Sequence, residues 1–177
     1  MDNSQKHEVL NIYLGFDETE IVAYHTLSQS IIKHASGPVR VSPICSKHFK
    51  SFFNRPRDEK QSNDFSFTRF LVPYLNQYDG HAIFMDCDMM LRSDIFDVLR
   101  EIDQENAVSV VKHDYTPSDA VKYLNKVQYS YPRKNWSSFV VWNCGHIKNS
   151  KLTPEFVEKA TGLDLHRFTW LDDSEIG

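Results

Sequence analysis

Ala82-Ile83-Phe84-Met85-Asp86-Cys87-Asp88-Met89-Met90-Leu91 decides how the rest of the chain is read. Ala82 to Met85 is short and continuously apolar, the pattern of a buried strand. Asp86 and Asp88 fall at its C-terminal end. Residues i and i+2 of an extended strand share a face, so both carboxylates are expected to point to one spot. Two like charges this close are unfavourable unless something neutralises them. A divalent cation does so, and hard oxygen ligands suit Mg²⁺ or Mn²⁺. In open α/β sheets, ligands bind just beyond the C-terminal strand ends. A polar turn that closes a strand accounts for the same pair without any ligand.

Upstream, Val9 to Leu14 reads as a strand, followed by Gly15-Phe16-Asp17 and a helix from about Glu20 to His34. Its apolar residues Ile21, Tyr24, Leu27, Ile31 and Ile32 recur at three- and four-residue steps. Asp17 or Thr19 can cap it. Ser36-Gly37-Pro38 stops it, and Val39 to Cys45 is a second strand. Strand, helix, strand is a βαβ unit, which predicts parallel pairing. Residues 46–65 are polar, basic and irregular; a long loop in a compact domain is usually functional or disordered. Ser66 to Leu75 reads as a helix that Pro73 kinks or ends.

Downstream, Ser93 is expected to cap a helix from about Asp94 to Ile102. Ala107 to Lys112 reads as a strand, residues 114–135 as a mixed loop or lid, and Phe139 to Trp142 as a strand. A helix starts at Ser150 or Thr153 and runs to about Ala160. No internal repeat or linker interrupts the chain.

The 177 residues suit one domain. A formal net charge of −4 argues against a general nucleic-acid binder. Cys45, Cys87 and Cys144 are odd in number and widely spaced, which predicts a reducing, cytoplasmic setting rather than a disulfide framework. No apolar run approaches the roughly 18 residues of a membrane span. There is no Gly-x-Gly-x-x-Gly, phosphate loop, His-Glu-x-x-His or Gly-x-Ser-x-Gly.

Five segments together resemble the GT-A glycosyltransferases, closest in pattern to family 8 and the small sugar-transferase-like proteins near it. They are Asn11-Ile12-Tyr13-Leu14-Gly15-Phe16-Asp17, Phe67-Thr68-Arg69-Phe70-Leu71-Val72-Pro73, Phe84-Met85-Asp86-Cys87-Asp88-Met89-Met90, Trp142-Asn143-Cys144-Gly145-His146-Ile147 and Leu171-Asp172-Asp173. They cover nearly the whole chain in order. The resemblance implies an α/β GT-A (Rossmann-like) fold, with a mostly parallel central sheet flanked by helices. It also implies transfer of a sugar from a nucleotide-diphosphate donor to a glycan, lipid or small-molecule acceptor.

By the same resemblance, Asp86 and Asp88 hold Mn²⁺ or Mg²⁺. Arg69 braces the diphosphate, or it is a buried partner of Asp86. Asp17 contacts the nucleobase, on which Phe16 or Tyr24 can stack; the helix cap is the competing role for Asp17. Asn143, Cys144 and Gly145 touch the donor sugar. Asp172 and Asp173 lie under it at the reaction centre, or Asp172 and Asp173 serve as a helix cap. The family's late His ligand has no counterpart here, which predicts a minimal or truncated form of one domain, residues 1–177. Two other readings compete: a haloacid-dehalogenase-like phosphatase with Asp86 as nucleophile, and a non-catalytic nucleotide-sugar-binding module.

Overall fold

The computed structural model describes residues 9–58, 61–113, 121–122, 126–127, 133 and 136–177. Its strands are β1 (Leu10–Gly15), β2 (Val39–Ile44), β3 (His81–Met85), β4 (Val108–Val110), β5 (Val121–Lys122), β6 (Lys126–Val127) and β7 (Phe139–Asn143). The helices are α1 (Ile21–His34), α2 (Val72–Leu75), α3 (Phe96–Glu101), α4 (Pro154–Lys159) and α5 (Gly162–His166). Five strands form the central sheet in the order β2-β1-β3-β7-β4, and β5 and β6 pair separately. β2, β1 and β3 are parallel, and β7 runs antiparallel to both β3 and β4. Four of the five strands therefore point one way, as the sequence predicts. Most of the expected loop at 114–135 lies outside the described residues.

Alternation along the strands feeds two apolar layers. Ile12, Leu14, Ile83, Met85 and Val141 face Leu27 and Ile31 of α1 and the α3 side. Ala82, Phe84, Val108, Val140 and Trp142 face Phe65, Phe70, Val157, Leu165 and Phe168. Because β3 is covered on both sides, its sequence is an unbroken apolar run.

Local chemistry sets the boundaries. In α1, Leu27 and Ile31 are buried and Tyr24 is half-buried, but Ile21 and Ile32 are exposed. Ile32 lies about 100° around the helix from Ile31 and turns away from the sheet. The expected helix at 66–75 is a 3₁₀ turn, Thr68–Leu71, followed by α2. Pro73 sits in the first turn of α2, where its missing N–H costs nothing. Asp94, rather than Ser93, receives the N–H of Phe96 at the start of α3, and that of Ser36 as well. Thr161 caps α5, a helix not anticipated from the sequence. Gly15 ends β1 directly under the Phe65 ring, where a Cβ would collide with it. No helix among the described residues is long and apolar enough to cross a membrane.

Candidate functional site

An acidic centre sits where β3 ends. The strand stops at Met85, and Cys87 and Asp88 form a turn. Strand alternation therefore does not relate Asp86 to Asp88, contrary to the expectation. The two are nonetheless electrostatically coupled. Burial, first, and then Asp88 and Glu20 raise the Asp86 carboxyl to about 6, against the pull of Arg69. Asp88 is exposed. Between them, the buried Cys87 donates its S–H to Glu20 Oε2 at 3.2 Å. Burial and Glu20 push this thiol far above its ordinary range, so it stays protonated.

Arg69 is the counter-charge. The Thr68–Leu71 turn delivers it with its side chain 5% exposed and Nη1 2.8 Å from Asp86 Oδ1. It also donates to Ser137 O at 2.7 Å, and its guanidinium lies over the Phe84 and Phe65 rings at 4.8 and 5.4 Å. Arg69 therefore takes the buried-partner role. The next residue, Ser138, accepts the Asp86 N–H at 2.8 Å. Asp86 Oδ1 is sealed from solvent and is held by its ion pair with Arg69.

Beside this centre, at the end of β1, the rings of Phe16 and Tyr24 meet edge-to-face at 5.3 Å. Phe16 and His48 lie nearly parallel at 6.2 Å. Asp17 is a cap. Its Oδ1 accepts from Thr19 N and Oγ1 at 2.9 and 2.6 Å, and Oδ2 accepts from Asp64 N at 3.0 Å. Asp64 in turn pairs with Lys47 and Arg57. A cavity of about 140 Å³ opens there, lined by Ser46, Lys47, Arg55, Gln61, Asp64 and Thr68 among others.

Two predicted groups are not brought to Asp86. Asn143 ends β7 and Cys144 and Gly145 follow it; because β7 is antiparallel, Asn143 pairs with His81 at the beginning of β3 while Phe139 pairs with Met85. The three residues lie at the opposite end of the sheet. Asn143 donates to Gln104 O, and Cys144 N donates to Gly80 O. The segment that does reach Asp86 is Trp136-Ser137-Ser138, where β7 begins. The sequence carries no signal for it, since nothing in Phe139 to Trp142 says which way that strand runs. Asp172 and Asp173 are exposed; Asp172 makes a capping box with Glu175 and pairs with Lys148 at 3.5 Å, and Asp173 pairs with Arg133. Among the described residues, neither carboxylate contacts Asp86 or Asp88, and no group of three His, Cys, Asp or Glu side chains is placed to hold a metal ion.

No protein-family model matches the chain. Among curated proteins, Protein CDI of Arabidopsis thaliana is 44% identical over 178 residues, spanning 99% of this chain and 69% of that protein. The solved structure of the WbbM bifunctional glycosyltransferase superposes with a TM-score of 0.62 at 14% identity, over 98% of this chain. The galactosyltransferase LgtC, solved with donor and acceptor sugar analogs, superposes with a TM-score of 0.55 at 11% identity, over 94% of this chain and 72% of that one. This chain spans only 39% of WbbM. Both share its architecture, which is the GT-A glycosyltransferase fold.

Proposed function

Because the chain belongs to the family of the Arabidopsis thaliana Protein CDI and has a GT-A fold, we propose that it is a metal-dependent glycosyltransferase of the family-8 kind. It moves a sugar from a nucleotide-diphosphate donor to a glycan, lipid or small-molecule acceptor, in a cytoplasmic setting. One domain carries the site. The observation that carries this reading is the coupled Asp86–Asp88 pair beyond β3, with Arg69 buried against it.

The donor set fits a hard cation. The Asp86 side chain keeps 22% of its surface exposed beside its contact with Arg69, and nearby Asp88 and Glu20 disfavour its charge. Asp86 and Asp88 would hold Mn²⁺ or Mg²⁺. A bound cation supplies the neutralisation that a leaving diphosphate needs. Arg69 favours the ionised form of Asp86 and fixes its aim. Phe16, Tyr24 and His48 give the nucleobase aromatic surface to stack on. Asp17 holds the loop at Asp64 in place beside that surface. The turn at Ser137 and Ser138 replaces Asn143, Cys144 and Gly145 as the contact nearest the sugar. Asp172 or Asp173 serves the acceptor or the developing positive charge, and each must first leave its ion pair with Lys148 or Arg133.

That last requirement favours a second reading, a protein that binds nucleotide sugar without turning it over. Calorimetry with nucleoside diphosphates, with and without Mn²⁺, tests the shared part; equal affinity in both conditions would sink the metal reading. Turnover of donor in the presence of acceptor separates transferase from binder.

A further inference from the structure

The side chains of Ser137 and His166 sit directly behind the acidic centre. Ser137 Oγ lies 2.7 Å from His166 Nδ1, and Ser137 is 5% exposed. The Ser137 carbonyl receives Arg69, and the following carbonyl receives the Asp86 N–H. One turn of chain thus grips both members of the ion pair, and its side-chain anchor is His166. The imidazole is itself fixed from the other side. It meets Phe70 edge-on at 5.1 Å and Phe67 at 6.2 Å, and these two residues flank Arg69 in the same turn. Phe70 is fully buried and Phe67 nearly so. His166 is therefore a wedge between the segment that carries Arg69 and the segment that receives it.

We infer that His166 and Ser137 are positioning residues: their hydrogen bond sets the aim of Arg69 and, through it, of the Asp86 carboxylate. The consequence for cation binding rests on the metal reading; the positioning of Arg69 does not. A displaced guanidinium leaves Asp86 free to rotate, and outer partners of metal ligands are commonly worth tenfold or more in affinity.

The full chain labelled with ¹⁵N-arginine is compared with Ser137→Ala, His166→Ala, the double variant and His166→Asn, whose amide reaches the Nδ1 position. Amide spectra report folding in each. The Arg69 Nη protons are expected to be resolved in the unmodified protein and averaged in both alanine variants. The double variant should look no worse than either single one, and His166→Asn should restore the signals. Mn²⁺ alone, titrated by electron paramagnetic resonance, should bind about tenfold more weakly in both alanine variants. Unchanged Arg69 signals in folded His166→Ala, or losses that add in the double variant, overturn the inference. If the unmodified chain takes up no Mn²⁺, the metal reading falls while the arginine signals still decide the positioning.

Discussion

Replacing Asp86 by Asn is expected to stabilise the ligand-free protein at neutral pH while abolishing its response to metal. Burial, with Asp88 and Glu20, raises the carboxyl from its ordinary 3.8 to about 6 despite Arg69. A folded value above the unfolded one means that the native state binds the proton more tightly. The associated stability is present below about pH 4 and is lost as pH rises through about 6. At about 1.4 kcal/mol per tenfold change in proton affinity, ionised Asp86 costs the native state roughly 3 kcal/mol above pH 7. Asn is a neutral stand-in for the protonated acid. Its advantage should be near zero at about pH 4 and about 3 kcal/mol at pH 7.5. Urea unfolding with a chelator present reads this as a midpoint shift of roughly 1 M, for an m-value near 3 kcal/mol/M. Mn²⁺ should then restabilise the unmodified protein and leave the variant unmoved. A variant less stable than its parent at pH 7.5 without metal would refute the reasoning, because Asp86 would then be a net stabilising charge.

Asp88→Asn should weaken metal-dependent nucleotide binding about tenfold or more by calorimetry, and more than Asp17→Asn does. Asp17→Ala should lower stability by about 1–2 kcal/mol in urea melts and leave nucleotide affinity unchanged. Burial pushes the Asp17 carboxyl up, but the bonds from Thr19 and Asp64 outweigh it and hold it low; this contribution is present above the ordinary 3.8 and is lost as pH falls below it. Asn149→Ala should cost about 2 kcal/mol, since it strips partners from Ala107 O, Asn143 O and the Trp170 indole in the core.

The two-sided burial of β3 was legible because a strand covered on both faces has nowhere to place a polar side chain. The parallel pairing of β1 with β2 followed from the helix between them. The direction of β7 did not: Phe139 to Trp142 has the same apolar content whichever way it pairs, so nothing in these residues foretold that Asn143 would lie at the end of the sheet away from Asp86. The Arg69–Asp86 contact was one of two roles open in the sequence, and burial of the guanidinium selects it. Ser137 and His166 carry no local signature, since their meaning comes from meeting across residues 138–165. Asp17 was open between base contact and cap, and three donors at hydrogen-bond distance show the cap.

The reversal at β7 also bears on the order of events during folding. β3 and β7 become neighbours only after the chain from Asp86 to Ser138 has closed on itself, and β1 meets β3 across residues 16–80. Pairings this remote in sequence are the slow ones, because the entropy of closure is lost before any contact returns it. The acidic centre needs both closures and the Arg69 turn as well. It cannot form in a local fragment, so its appearance marks the end of folding rather than an early step. A probe that senses Arg69 against Asp86 would then rise with the slowest refolding phase.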